Sequence, residues 1–482
     1  MKNLFSKRTL TALALCLCML FSVACGGKNG PPSDGDWWTS EGELVKDEQG
    51  NVVFDNVEVK LSTVVSGEDK TAFNTLVAKF NRLYDGKINV ITTNIGAEGF
   101  ESTVSKQITN NSNPPDLIMS HQKANRNFAD NKIIQPFDEV IEQSGIDIDP
   151  ANFAAGLAQY SSAGYEGSLF AVPVDAQSIV VFYNKQLLAK YAQTPPSSRA
   201  ELLSVCKAFT EDTANAGKAP IAWSTGGDYF AEYVFLTAVL QNGGKFYNDS
   251  DFKVDWNSDE ANRTAFNNAI QSFRELIDKG YAKYNEADNT ILSEFMAGKR
   301  LFYFTVPWTM ESLVTNYADQ LGVSVETLMS DYLGGVSMSG WFAMTDNEAK
   351  NNIYGDSHFF SMSRSVTDIN KKAAICEFIR WFTQESSVGA EWAKAGHISA
   401  SNIISADDEY KNDPYVSNYI SKFFTSIDDF RSIGATPYYE AVISNLKGIF
   451  IDTVGSSKPS VSADEAAIKQ RQDSVNAQID FF

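Results

Sequence analysis

The sequence is poor in the residues that most metal and redox sites need. Its 482 residues include three histidines and five cysteines. His121, His358 and His397 stand far apart along the chain, and no two cysteines have CxxC spacing. Zinc sites usually draw on closely spaced histidines and cysteines. The sequence therefore predicts no metal site, no cofactor and no redox pair, and it predicts Cys206 and Cys376, each in a helical pattern, to be buried free thiols.

Cationic residues are scarce relative to acidic ones. The chain has 40 lysines and arginines against 60 aspartates and glutamates, a formal net charge of −20 at pH 7. Such a surface repels phosphate backbones and anionic lipid headgroups, so a nucleic-acid partner is not expected. Hydrophobic residues make up 43% of the chain, which suits a well-packed globular protein.

Common catalytic and nucleotide-binding motifs are also missing. The chain has no GxSxG nucleophile elbow, no GxxxxGKS/T phosphate loop and no GxGxxG dinucleotide motif. Acidic residues are numerous, but no local context marks two of them as the acid and base of a glycosidase. The sequence thus contains no positive evidence for catalysis, and we expect a protein that is not an enzyme.

Long apolar runs are confined to the amino terminus. Residues 10–21 form an apolar run that is too short to span a bilayer, and basic residues precede it. The segment Ser22-Val23-Ala24-Cys25 resembles the lipobox of bacterial lipoproteins, although that family usually has leucine where Ser22 stands. The resemblance implies that residues 1–24 are a signal peptide and that Cys25 carries the lipid. An ordinary cleaved signal peptide is the alternative.

The segment after this cysteine has the composition of a linker. Residues 26–56 are rich in glycine, proline, aspartate and serine, and their hydrophobic residues follow no sustained period. Such a composition is typical of flexible chain. We therefore predict that residues 25–56, with the lipidated cysteine, form a flexible tether. Trp37 and Trp38 are unusual in such a segment, and local docking onto the folded body would explain them.

Strand and helix patterns alternate from Val57 onward. VEVKLSTVV, KINVITTNI and PPDLIMS have the pattern of strands, and amphipathic helical patterns separate them. This order predicts a parallel sheet with helices on its faces, an α/β fold. Ligands meet such sheets at the carboxyl ends of the strands. The residues expected at that edge are Ser66, Gly67, Asn94, Gly96, Ser120 and His121, of which the first two and the last two are taken as ligand-binding.

The stretch SLFAVPVDAQSIVVFYNK, residues 168–185, interrupts one apolar run with polar residues. Apolar segments on both sides read as buried strand, but Pro173 and the polar side chains of Asp175, Gln177 and Ser178 fit a sheet core poorly. Either this is a surface loop, or the chain passes here from one folded unit to another.

Several ordered blocks settle that choice through a resemblance. AFNTLVAKFNRLYDGKINV, NPPDLIMSH, YEGSLFAVPVDAQSIVVFYNKQLL, FMAGKRLFYFTVPW, WAKAGHISAS and ATPYYEAV occur in this order. Together they resemble the extracellular solute-binding proteins of ABC importers, the family of maltose-binding protein and related oligosaccharide-binding lipoproteins. The resemblance covers nearly the whole chain from Val57.

The resemblance implies a two-lobed, type II periplasmic-binding-protein fold with a cleft between lobes joined by crossover strands. The expected amino-terminal lobe comprises residues 57–172 and about 360–432. The carboxy-terminal lobe comprises about 175–357 and 436–482. Residues 172–178 then form a hinge and a wall of the cleft, and Asp175 and Gln177 are expected to face a ligand.

Sugar binding needs aromatic platforms for C–H faces and polar groups around the ring. The family resemblance assigns such platforms to Trp308, Tyr229 and the pair Tyr438 and Tyr439. Two further tryptophans, Trp223 and Trp341, have Gly/Ser-rich flanks typical of loops and are added as candidates. By contrast, the helical patterns around Trp381 and Trp392 predict core positions. His397 matches a family block, and a structural role is expected for it.

The family implies a set of partners. These are a sugar or oligosaccharide, the transmembrane subunits of an ABC permease and their cytoplasmic ATPase. The implied location is the extracytoplasmic face of the bacterial cell membrane, where a monomer is held by its lipid anchor.

Three alternatives stay open. A glycerol-phosphate-type solute needs a basic anchor, for which Lys123 and Arg126 are the nearby candidates. A ferric ion could use adjacent Tyr438 and Tyr439. From a different class, a secreted glycoside hydrolase shares the acidity and the aromatic content.

Overall fold

The computed structural model describes residues 37–224, 229–248, 250–422, 426–434, 436–454 and 461–481. The predicted signal peptide and Cys25 lie outside these ranges, so their assignment stays a prediction. No helix within the described ranges has the length and apolar content needed to cross a membrane.

The strands of the described residues are numbered here in chain order. They are β1 (Val57–Thr63), β2 (Ile88–Asn94), β3 (Leu117–His121), β4 (Ile134–Gln135), β5 (Val172–Pro173), β6 (Asp175–Ala176), β7 (Val180–Asn184), β8 (Ile221–Trp223), β9 (Ala282–Tyr284), β10 (Phe302–Thr305), β11 (Leu333–Val336), β12 (Ile353–Tyr354), β13 (His358–Ser363), β14 (Ile398–Ser399) and β15 (Phe430–Arg431).

The α-helices are Gly67–Leu83, Phe100–Thr109, Ala124–Asp130, Asp138–Ser144, Ala155–Ala158, Lys185–Leu188, Arg199–Glu211, Phe235–Gln241, Glu260–Asp278, Asp288–Met296, Met310–Leu321, Val325–Thr327, Ile369–Gln384, Ser386–Lys394, Asn402–Ala406, Asp408–Asn412, Pro414–Asn418, Tyr439–Thr453 and Val461–Phe481. Within the described ranges, five short 3-10 turns accompany them: Pro150–Asn152, Thr213–Asn215, Pro307–Thr309, Ile420–Lys422 and Ile427–Asp429. Two π-helical turns are Phe230–Val234 and Leu328–Tyr332.

The first lobe is built around a mixed sheet with strand order β2-β1-β3-β13-β4, and β5 pairs with β13. The three leading strands are parallel, as their alternation with helices predicts, whereas β13 runs antiparallel to β3. The helix Gly67–Leu83 buries Phe73, Leu76 and Phe80 against this sheet. Its apolar residues recur three and four positions apart, which places them on one face of the helix.

The second lobe contains the antiparallel sheet β10-β7-β11 and the parallel pair β8–β9. The helix Glu260–Asp278 packs beside them and buries a row of apolar residues, among them Phe266, Ile270 and Phe273. Asp259 caps the start of this helix, because its side chain accepts a hydrogen bond from the backbone N–H of Asn262. Such a cap satisfies one of the amide groups that a helix leaves unpaired at its first turn.

Three chain segments run side by side between the two lobes. The first leaves the first sheet at β5, pairs β6 with β14 and enters the second sheet at β7. The other two contain β12 and β15, which pair in parallel, and Gln177 forms a bridge with Asp356. At Gly355 an added Cβ would lie 2.4 Å from the carbonyl oxygen of Gln177, so only glycine permits this approach.

The prediction of a flexible tether is wrong from Trp37 onward. The Trp37 indole Nε1 donates to the carbonyl of Ile134 at 3.0 Å, and its ring stacks on Phe170. Lys372 donates to the carbonyl of Thr39 at 3.0 Å. The two adjacent tryptophans supply enough apolar surface to hold this segment on the first lobe, despite its linker-like composition.

The predicted core residues are buried. Trp381 and Trp392 are 3% and 2% exposed. Cys206 and Cys376 are free and buried, and burial raises the pKa of both thiols. Neither thiol is poised to react, because the reactive species is the thiolate.

Candidate ligand-binding site

A cavity of about 630 Å³ lies between the two lobes, where the carboxyl ends of the first-lobe strands face the second lobe. Residues after β1 and β2 and at the end of β3 form one wall, and residues of the second lobe form the other. This is the position expected for a ligand of an open α/β sheet.

Most of the predicted ligand-binding residues line this cavity. They are Ser66, Gly67, Ser120, His121, Gln177, Tyr229, Trp308 and Tyr439. The first four come from the strand ends of the first sheet, and Gln177 comes from the crossing segment. Asn94 and Gly96, expected at the same edge, are absent from the lining. The structure therefore brings together residues that are more than 370 positions apart in the sequence, from Ser66 to Tyr439.

Two aromatic rings of the second lobe contact each other edge to face in the cavity. The centroids of Tyr229 and Trp308 are 5.2 Å apart, with the ring planes at 74°. Pro307 starts the turn that carries Trp308 away from the end of β10, and Tyr229 is 50% exposed. Exposed rings of this size on a concave surface are available to cover an apolar face of a ligand.

Two of the predicted platforms are core residues instead. Trp223 is 2% exposed and stacks on Phe230 with centroids 5.1 Å apart. Trp341 is fully buried, and its indole donates to the carbonyl of Pro196 at 2.9 Å. Their Gly/Ser-rich flanks do indicate chain irregularity, but distant segments cover both indoles.

Tyr438 and Tyr439 have different surroundings although they are adjacent. Tyr439 lines the cavity, its hydroxyl lies 3.3 Å from Glu232, and burial raises its pKa well above the usual value. Tyr438 is half-buried outside the cavity lining, with its ring 6.3 Å from that of Phe252. The prediction is wrong for Tyr438, because a helix starts at Tyr439 and turns the two side chains apart.

Asp175 does not face the cavity either. It is fully buried, and its carboxylate accepts hydrogen bonds from the His358 backbone at 2.9 Å and from the Trp392 indole at 2.7 Å. Burial alone would raise the pKa of Asp175, but the imidazoles of His358 and His397 lower it. The polar residue at 175 anchors the crossing strand, whereas Gln177, beyond the end of β6, reaches the cavity.

Acidic residues are the part of the site that sequence reasoning missed. Five of them line the cavity: Asp69, Glu101, Glu232, Asp356 and Glu440. Asp69 follows the strand-end residues Ser66 and Gly67 in the first helical turn, so the rule that located those residues could have found it. Glu232 and Glu440 lie on second-lobe helices, and no sequence signal separates them from the many other acids of the chain.

The positive charge of the cavity is already engaged. Lys123 Nζ lies 3.2 Å from Glu440 and 4.4 Å from the centre of the Tyr439 ring. Burial opposes its charge, but Asp356 and Glu440 raise the pKa of Lys123. Arg126, the other basic candidate, pairs with Asp130 at 2.9 Å and is absent from the lining of this cavity.

Two buried oxygens at the cavity have no hydrogen-bond partner within the described ranges. They are Asp69 Oδ1 and Gln177 Oε1, on residues that are 8% and 2% exposed. Both atoms can act as hydrogen-bond acceptors, and leaving a buried acceptor without a donor costs about 1–3 kcal/mol of stability. A ligand that donates hydrogen bonds would relieve that cost.

The three histidines, which the sequence scatters, converge beside the cavity. Ring centroids are 4.9 Å apart for His121 and His358 and 5.3 Å apart for His358 and His397. His121 Nδ1 lies 2.9 Å from Asp356, and His358 Nδ1 lies 2.9 Å from Asp175. Sequence spacing gave no sign of this cluster, because strand β3, strand β13 and the segment before β14 meet only in the folded chain.

Comparison with known proteins identifies the family. The model of the bacterial extracellular solute-binding proteins matches residues 75–418. The maltotriose-binding protein of Pyrococcus abyssi is 23% identical over 317 residues, which cover 63% of this chain and 59% of that protein. The match thus spans less than two thirds of that relative's length.

Solved structures share the fold. The sugar-binding protein of Xanthomonas citri superposes with a TM-score of 0.69 and 16% identity, over 88% of this chain and 98% of that one. A cyclic α-maltosyl-1,6-maltose binding protein from Arthrobacter globiformis superposes with a TM-score of 0.65 and 19% identity, over 88% of this chain and 99% of that one. These likenesses confirm the predicted two-lobed α/β fold. The family consists of binding proteins, not enzymes, and the chain belongs to the bacterial extracellular solute-binding proteins.

Proposed function

We propose that this protein captures a neutral sugar or oligosaccharide in the cavity between its lobes and delivers it to the membrane permease of an ABC importer. The observation that carries the proposal is the pairing of two aromatic rings, Trp308 and Tyr229, with the unsatisfied acceptors of Asp69 and Gln177. Sugars present C–H faces to the first and hydroxyl donors to the second.

The similar proteins agree with this choice of ligand. The curated relative is named for maltotriose binding, and the similar structures are named for sugar and maltosyl-maltose binding. The solute of this chain is proposed to belong to the same chemical class.

The charge distribution argues against the alternatives that sequence reasoning left open. A phosphorylated solute would meet five carboxylates and one lysine that already contacts Glu440. Most of these carboxylates already have a basic partner, such as Lys123 for Glu440 and His121 for Asp356, so the described cavity lining has no free lysine to pair with an added phosphate. A ferric ion held by paired tyrosines is not supported, since Tyr438 does not share the cavity of Tyr439.

Closure of the two lobes around the solute is part of the proposal. We assign residues 57–172 and about 360–432 to the first lobe, and about 175–357 and 436–482 to the second. The crossing segment at 172–178 then acts as a hinge. A ligand that contacts both walls of the cavity increases the population of the closed conformation. Saturating ligand should reduce the radius of gyration in small-angle scattering.

The proposed location is the outer face of the cell membrane, with Cys25 acylated as the anchor. More than one acyl chain at this cysteine would hold the protein stably in the bilayer. Replacement of Cys25 by alanine should release the protein from membranes. If the unlipidated variant still sediments with membranes, the proposed anchor at Cys25 is wrong.

The central test is direct identification of the solute. Native mass spectrometry of freshly purified protein should detect a bound neutral sugar, and calorimetric titration with maltotriose and other neutral oligosaccharides should reproduce binding. The same titrations with glycerol phosphate should show no heat. Hydrolysis of the added sugar, or binding restricted to the phosphate ester, would overturn the proposal.

A further inference from the structure

Two histidines and one aspartate form a compact group behind the cavity. One ligand atom from each of Asp175, His358 and His397 can be chosen so that all lie within 4.8 Å of one another. Asp175 and His397 are fully buried, and His358 is 4% exposed. They belong to three different segments: strand β6, the start of β13 and the residue before β14. The group is therefore a product of the tertiary fold.

The spacing of these atoms suits a small metal ion. Asp175 Oδ2 lies 2.9 Å from His358 Nδ1 and 3.4 Å from His397 Nδ1. Ligands bound to tetrahedral zinc at about 2.0–2.2 Å stand roughly 3.3–3.6 Å apart. The three residues offer ligand atoms within 4.8 Å of one another, so rotation of the two imidazoles would be needed to bring them to such an arrangement.

His397 is the residue that hydrogen bonding alone leaves unexplained. Both of its ring nitrogens lack a hydrogen-bond partner within the described part of the chain, although the residue is fully buried. Its Nε2 lies 3.4 Å from Asp69 Oδ2, and its ring stacks on Trp392 with centroids 4.2 Å apart and planes at 6°. The ring is thus held in one plane, with each nitrogen 3.4 Å from a carboxylate oxygen, Nε2 from Asp69 and Nδ1 from Asp175.

The surroundings resemble the outer shell of a metal site. A histidine that ligates a metal usually has a carboxylate beside its other ring nitrogen, and Asp69 Oδ2 lies 3.4 Å from His397 Nε2. Asp175 Oδ2 also accepts from the Trp392 indole at 2.7 Å, and Oδ1 accepts from the His358 backbone at 2.9 Å. These bonds orient the carboxylate and leave it able to bind an ion.

We propose that Asp175, His358 and His397 bind one divalent transition metal ion of the zinc class. Two imidazole nitrogens and one carboxylate favour zinc or cobalt over calcium and magnesium, which prefer oxygen ligands. On binding, the metal replaces the Nδ1 proton between His358 and Asp175, and that proton passes to solvent. His358 also lines the cavity, which allows water to complete the coordination.

The consequence would be a cross-link at the hinge. The ion would join the first crossing segment to the start of β13 and to the segment that pairs with β6. This role does not depend on which solute the cavity binds. The metal would add stability, because it binds the folded chain, in which the three ligands are assembled.

The test uses the full mature chain after treatment with a chelator and removal of the chelator. Calorimetric titration with Zn²⁺ should give one site per chain, and Zn²⁺ should raise the thermal midpoint, whereas Mg²⁺ should not. Cobalt substitution should give the visible absorption of a tetrahedral site. His397→Gln should weaken zinc binding by more than about 100-fold, and Asp69→Asn by about 10–100-fold.

His121→Gln is the matched control, because it removes the remaining histidine of the chain and none of the three proposed ligands. It should keep zinc affinity and the cobalt spectrum. If the wild-type chain shows neither heat nor a thermal shift with Zn²⁺, the group is a hydrogen-bonded network and the proposal is wrong. Zinc binding that survives unchanged in a folded His397→Gln protein would also overturn it, since other groups would then hold the ion.

Discussion

The two walls of the cavity are made of different kinds of residue. The first-lobe wall consists largely of small and polar residues at strand ends, such as Ser66, Gly67 and Ser120, whereas the second-lobe wall presents the rings of Tyr229 and Trp308. Strand ends in a parallel sheet meet at one edge for topological reasons. No comparable topological rule places the aromatic residues of the second-lobe wall, because the position of each ring depends on the residues packed around it.

The same lobe also contains aromatic residues of the opposite kind. Trp223 and Trp341 lie in the second-lobe core, whereas Trp308 lies at the cavity. Trp223 ends strand β8, whereas Trp308 and Trp341 lie in turns that follow strands β10 and β11. The difference between a platform and a core residue is therefore a difference in what covers the ring.

The largest effect is expected for Trp341→Ala. This indole is fully buried against Phe302 and donates a hydrogen bond to Pro196, so its removal creates a cavity and leaves that carbonyl unpaired. The free energy of unfolding should fall by about 3–5 kcal/mol. Denaturant titration measures this. Sugar affinity of the folded fraction should be unchanged, and a normal unfolding midpoint would show that Trp341 is not a core residue.

Trp308→Ala should weaken sugar binding and leave stability nearly unchanged, the opposite of Trp341→Ala. If the ring covers a sugar face, binding should weaken by about 2–4 kcal/mol, in the range of interface hot spots. Stability should change little, because the side chain is only partly buried. Calorimetric titration and thermal melts of Trp308→Ala and Trp341→Ala form a matched pair. If the Trp308→Ala protein is destabilised but binds sugar normally, Trp308 is a core residue like Trp341 and not a sugar platform.

Gln177→Met tests the polar side of the cavity. Methionine has a similar volume and lacks the buried Oε1 acceptor, which has no partner within the described residues. Sugar affinity should fall by about 0.5–1.5 kcal/mol, while the ligand-free protein should be no less stable. Calorimetry and denaturant titration separate the two quantities. A loss of stability without a loss of affinity would mean that Gln177 serves the hinge and not the solute.

Lys123→Met should give the smallest effect and links the two walls. Lys123 contacts Glu440 and the Tyr439 ring of the second lobe, and the Glu440 side chain is 82% exposed. Such exposed or partly exposed contacts contribute about 0.2–1 kcal/mol and weaken with salt. Neutral-sugar affinity, measured at low and high ionic strength, should change within that range. Complete loss of neutral-sugar binding would instead show that Lys123 contacts the solute directly.

Residue patterns predicted much of the architecture and the polar wall. The alternation of strands and helices after Val57 indicated the parallel part of the first sheet, and the interruption at 168–185 marked the passage between lobes. The paired tryptophans Trp37 and Trp38 were the one sign that the linker-like segment is docked, but composition outweighed them. A local composition reports flexibility only when nothing distant holds the segment.

The amino-acid sequence alone determined the α/β alternation and the strand-end residues, since these follow from order and periodicity along the chain, and the family and the two-lobed fold came from the resemblance of its ordered blocks. Tertiary structure decided which aromatic rings reach the cavity, that Asp175 is buried while Gln177 lines the cavity, and that three distant histidines meet. The physical reason is that burial and proximity depend on the segments packed against a residue. Pro196, for instance, covers Trp341 from 145 positions away along the chain.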